Sequence, residues 1–195
     1  MQVQKHARIA NIRKLSRYFL FLSVFAMAGV AIGGVAFPFI LAMAPSGNLN
    51  LIAYLAKAVT VNDGFYSLLQ SGITTDLKII ASVTAIVFCV LIEFVLIHIN
   101  KLLSCFYQGE IFNRNAVFHA RRAFNLNLIL VIGTLVVEII AIILSYIQPG
   151  AGSSGSIGLL LGSVFDQLTW IGFFLLLLWS LEIGVDLNEE VELTI

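Results

Sequence analysis

The sequence predicts an all-α membrane protein, a four-transmembrane-helix bundle with N- and C-termini cytoplasmic, and three observations predict it. First, 59% of the 195 residues are hydrophobic and 11% are charged, with a mean hydropathy of +0.99. A soluble domain keeps its surface wetted with about a quarter of its residues charged. Second, four apolar runs are long enough to cross a hydrocarbon core ~30 Å thick, which takes ~20 residues of helix. Third, Lys and Arg are unevenly divided among the segments that join these runs. Eleven Lys and Arg balance eleven Asp and Glu, so the chain lacks the basic excess of a nucleic-acid binder, and direct nucleic-acid binding is not expected. At ~100–200 residues per domain, the length allows a single integral membrane domain over 1–195.

The runs place the spans at roughly 18–44, 79–103, 124–147 and 168–185. The first has a basic front, but it exceeds the ~7–15 apolar residues of a signal peptide and ends without a small-x-small cleavage site, so it reads as a retained span. Lys5, Arg8, Arg13, Lys14 and Arg17 precede it, and Lys101, Arg114, Arg121 and Arg122 lie between spans two and three. Only Lys57 and Lys78 fall on the other side. Cationic segments resist translocation, which puts the N-terminus, the second loop and, after four crossings, the C-terminus in the cytoplasm. The first outer loop opens with Pro45-Ser46-Gly47-Asn48 and carries Leu51, Ile52, Leu55 and Val59 at helical steps, the pattern of a short interfacial helix. The second outer loop contains GAGSSGSIG, which reads as a slack connector.

Within the membrane, Glu93 and Glu138 are the most informative residues. An acidic side chain at the bilayer centre costs about 2.5–3.5 kcal/mol even on the mild insertion scale. At ~1.5 Å per residue from the cytoplasmic ends, Glu93 lies about 15 Å deep and Glu138 about 20 Å deep. Ser82, Glu93, Asn100 and Ser104 share one stripe of span two, and Asn127, Thr134, Glu138 and Ser145 share one stripe of span three. The glutamates are therefore a candidate proton or cation site, or a hydrogen-bonded packing contact between helices, and the packing role is modestly favoured. His98 projects off that stripe and belongs near the cytoplasmic interface. Ala26, Gly29, Gly33 and Ala36 form a small-residue face on span one, suited to packing in the bundle or to a homo-oligomer. Pro38 is placed to kink that span. Trp170 and Trp179 read as interfacial anchors at the two ends of span four. Cys89 and Cys105 lack the spacing of a disulfide framework or a metal site.

Glu182, Asp186, Glu189, Glu190 and Glu192 make the C-terminal tail acidic, opposite the basic loop on the same side. The favoured reading is that the basic residues set topology and attract anionic lipids, at about 1 kcal/mol each; in a sharper one the tail folds against the loop, or both face a soluble partner. In the loop, Gly109 is placed to end the helix of span two and Asn113 to cap the next helix, with Asn115 and Ala116 in its first turn. The run QGEIFNRNA, the Arg121–Arg122 pair and the ending LNEEVELTI resemble the bacterial membrane family called Domain of Unknown Function 2975. The resemblance implies an inner-membrane protein without assigned activity, whose relatives are often encoded beside small helix-turn-helix regulators. It marks Gly109, Glu110, Phe112, Asn115 and Arg122 as a structural or docking element.

There is no P-loop, HExxH, GxSxG or CxxCH pattern, so neither catalysis nor a cofactor is expected. Two function classes stand against each other. One is a regulatory or scaffolding protein that docks a soluble partner through Gly109, Glu110, Phe112, Asn115, Arg121, Arg122, Glu189 and Glu190. The other is a small oligomeric transporter or cation pathway through Glu93 and Glu138.

Overall fold

The computed structural model describes residues 2–43, 75–147 and 156–193. They form an all-α four-helix bundle: α1 (Gln2–Met43), α2 (Thr75–Gln108), α3 (Arg114–Ile147) and α4 (Ser156–Leu193). All four helices are long and apolar enough to cross a membrane, over Ala10–Met43, Lys78–Gln108, Arg114–Ile140 and Leu161–Val191. The protein is a multi-pass membrane protein. The expected interfacial helix near Leu51–Val59 lies outside the described residues, as does the start of the Gly/Ser connector.

The helices outrun the apolar spans. With 42, 34, 34 and 38 residues, they reach roughly 50–60 Å at ~1.5 Å per residue, against ~30 Å of hydrocarbon. As Gly109 and Asn113 lead one to expect, the segment between spans two and three is mostly helix, and among the described residues only 109–113 are non-helical. Two expectations change. The acidic tail is likewise helical, because α4 continues to Leu193. The connector also shortens: Ser156, Ile157 and Gly158, read as slack, open α4. A helix stops where its backbone groups find other partners, and lipid depth alone does not stop it.

The described residues divide into two compact units, and each draws on all four helices. The first holds those within Met1–Ile32, Cys89–Leu128 and Ile171–Ile195, and the second those within Gly33–Phe88 and Ile129–Trp170. In the first unit, the buried positions recur at seven-residue steps: Ser16 and Ser23 on α1, Ala116 and Ala123 on α3, Leu178 and Val185 on α4, with Val95 on α2. That repeat is the packing seam of near-antiparallel helices, and the small Ser and Ala side chains allow close approach. Most other large apolar side chains are exposed, as they must be where the solvent is lipid.

In the second unit, Leu41 is buried, and the Phe88 ring of α2 lies against Gly133 of α3, where a Cβ would stand 3.1 Å from it. The small face of α1 is less involved than expected. Gly29 and Gly33 are exposed, and a Cβ on either would meet nothing within 4 Å among the described residues. The α1 seam in the first unit runs through Ser16 and Ser23 instead. The helix passes Pro38 without interruption. Trp170 and Trp179 are half-exposed on α4, but nine residues separate them. That is about 13.5 Å of helix, so they cannot anchor both faces of a ~30 Å core.

Candidate functional site

The α2–α3 turn is built from two backbone devices. Gly109 has φ 88°, its N–H donates to the Phe106 carbonyl at 3.1 Å, and the Glu110 N–H donates to the Cys105 carbonyl at 3.0 Å. This is a Schellman ending, which favours glycine at the left-handed position. Asn113 then caps α3: its Oδ1 accepts from the Asn115 N–H at 3.0 Å, and its Nδ2 donates to Glu110 Oε2 at 3.0 Å. Both roles are those expected for Gly109 and Asn113.

The first unit fastens this turn to its neighbours. Arg13 of α1 donates to the Gln108 carbonyl at 3.1 Å, the open end of α2. Its guanidinium lies so close to Gly109 that a Cβ there would stand 2.8 Å from Nη2. The Phe112 ring, 51% exposed, lies directly over Gly184 of α4, where an added Cβ would overlap it. Arg114 holds Glu189 through Nε and Nη2, each at 2.6 Å. Arg121 holds Glu182 at 2.6 Å and 3.2 Å. The acidic end of α4 is thus folded against α3, one of the two arrangements that the sequence left open.

The remaining candidate residues complete this picture. Arg122 lies over the Phe118 ring, 5.6 Å from its centroid, and Asn115 and Glu190 are exposed on α3 and α4. The sequence carries a signal for the ion pairs that motif reading passes over. Arg114 and Arg121 are seven apart, as are Glu182 and Glu189, and two antiparallel helices in contact bring such sets into register. Arg121→Glu is expected to lower thermal stability by about 1 kcal/mol, the upper range for exposed pairs. Adding Glu182→Arg should recover most of that loss in a melt followed by circular dichroism, and no recovery would refute the register.

Other polar groups of the first unit also meet across helices. Ser23 Oγ lies 3.1 Å from Asn100 Oδ1 and 2.9 Å from the Leu20 carbonyl of its own helix. His98 Nδ1 stands 3.1 Å from His119 Nδ1, with the rings 5.4 Å apart. Two imidazoles in that contact share one proton, as donor and acceptor. His98 thus finds its partner on α3; the spacing of polar residues gave no sign of it, because His119 lies among cations and aromatics.

The intramembrane glutamates fall in different units and have different surroundings. In the first, Glu93 Oε1 is buried with no hydrogen-bond partner among the described residues. In the second, Glu138 accepts from the Ser163 hydroxyl at 3.2 Å and 3.3 Å, and Ser163 accepts from Gln167 Nε2 at 3.2 Å. Glu138 is therefore held by α4, through Ser163 and Gln167, which precede the span expected from Leu168 onward. Thr134 donates to the Val131 carbonyl of its own helix at 2.8 Å. Cys89 and Cys105 are free thiols, half-buried. Among the described residues, no three His, Cys, Asp or Glu side chains group as a metal site would require. Compared with protein families, with curated proteins and with solved structures, the chain matches none.

Proposed function

We propose that this protein is a regulatory or scaffolding protein of the bacterial inner membrane, with both termini cytoplasmic, that docks a soluble partner on the α2–α3 turn and the adjoining end of α4. One observation carries the reading. Two guanidinium–carboxylate pairs and the Phe112–Gly184 contact hold the turn, α3 and α4 together, and a surface fixed in advance loses little freedom when a partner binds. The half-exposed Phe112 ring supplies an aromatic contact, and exposed Asp186 adds acidic charge on an end of α4 that has no Lys or Arg. A small helix-turn-helix regulator, basic because it binds phosphate backbones, is the partner that the family resemblance nominates.

The test is crosslinking and pull-down of the full chain from its own membrane. Phe112→Ala and Asp186→Asn together should abolish capture of the partner, whereas Glu93→Gln should leave it intact. Capture that survives the first pair of changes overturns the docking role. A second reading, a small oligomeric transporter or cation pathway, is favoured by the buried unpaired Oε1 of Glu93. It requires Glu93→Gln and Glu138→Gln to abolish flux in proteoliposomes.

A further inference from the structure

We propose that a cleft between α1 and α2 binds the phosphate of an anionic phospholipid headgroup. The cleft is wide open on one side, has a volume of about 530 Å³ and is lined by Arg13, Lys14 and Arg17 of α1 and by Tyr107 and Gln108 of α2. An open cleft of that size admits a headgroup whose lipid tails remain outside it.

The case rests on how cations are used in this unit. Arg114 and Arg121 have carboxylate partners. Among the described residues, Lys14 and Arg17 have none, and Arg13 donates to a backbone carbonyl. Arg17 stands three residues beyond Lys14 and four beyond Arg13 on one helix, and like charges at those spacings repel. An anion in the cleft removes the repulsion. Arg13 is already oriented: its bond to Gln108 occupies one of five guanidinium donors, and the missing side chain at Gly109 gives it room. Arginine donors in a fixed fork suit phosphate oxygens.

Position selects the lipid. Arg17 directly precedes the apolar run that begins at Tyr18, so the cleft lies at headgroup depth. Tyr107 is 44% exposed at the same end, where an amphipathic ring sits well at a membrane–water interface.

The experiment is native mass spectrometry of the full chain, released from detergent containing equal amounts of phosphatidylglycerol and phosphatidylcholine. The wild type should retain phosphatidylglycerol preferentially. Lys14→Gln and Arg17→Gln should each lower that preference about tenfold, the loss expected when one charge-assisted hydrogen bond to the phosphate goes. Arg17→Lys should preserve more of it than Arg17→Gln, which separates binding from folding. Lys101→Gln removes an exposed charge of α2 outside the cleft lining and should change the preference little. Equal losses for Lys101→Gln and Arg17→Gln, or no preference in the wild type, would overturn the site. Displacement of the lipid by millimolar inorganic phosphate would assign the cleft to a free oxyanion and overturn the lipid.

Discussion

Gly184→Ala is expected to destabilise the protein by about 1–3 kcal/mol, the usual cost of overpacking a filled contact. The sign makes this result diagnostic. In a helix interior, alanine is favoured over glycine by about 1 kcal/mol, so an isolated α4 would gain from the change. Here the new Cβ overlaps the Phe112 ring, and the ring has to turn away from α4 to clear it, giving up the contact that joins the 109–113 turn to that helix. That turn carries the cap of α3 and adjoins Arg114. Thermal unfolding in detergent, followed by circular dichroism, measures the cost. Phe112→Ala in the same chain removes the overlap, so the double variant should be more stable than the two single losses predict. A raised melting temperature for Gly184→Ala alone would show that the ring does not rest on α4.

The second large effect is expected at Gly109. Its φ of 88° costs an ordinary L-residue roughly 1–2 kcal/mol, and a side chain there also presses on Arg13. Gly109→Ala should lower the melting temperature clearly, and Gly109→Val more. Gly109→Asn should lose least, because asparagine tolerates the left-handed region. Arg13 is a flexible neighbour and can shift, so most of the loss is backbone strain. An Arg13→Ala background should leave most of the Gly109→Ala penalty in place. If the penalty disappears there, crowding rather than φ is its source.

These two glycines differ in how readable they were. Gly109 follows a helical run and precedes an asparagine cap, so local sequence states its role. Gly184 lies within an apolar run, and its role depends on a ring seventy-two positions earlier. The same division holds more widely. Hydropathy placed all four spans, because apolar surface is a property of each segment by itself. It marks apolar runs and not helix ends: those at the turn are legible from Gly109 and Asn113, whereas α4 runs past its apolar stretch to Leu193, because a helix continues until its terminal carbonyls are satisfied, in lipid or out of it.

Among the candidate residues, Glu93 and Glu138 were visible through their cost in a membrane. The Ser163 partner of Glu138 was hidden because it lies between the Gly/Ser stretch and the expected start of span four at Leu168, in neither of the segments that drew attention. Small hydroxyl residues in an apolar bundle let helices approach and hydrogen-bond. The histidine pair was hidden for a related reason, since its two members sit on different helices with nothing in their spacing to relate them.

The two guanidinium–carboxylate pairs lie on one line, seven residues or about 10.5 Å of helix apart. A single fastening of that kind is a pivot, around which α4 could swing against α3. Two fastenings make a hinge plate: swinging in the plane of the helices has to break one pair or the other. Fraying that starts at the end of α4 therefore meets the Arg114–Glu189 pair before it can reach the Arg121–Glu182 pair, one helical heptad further in.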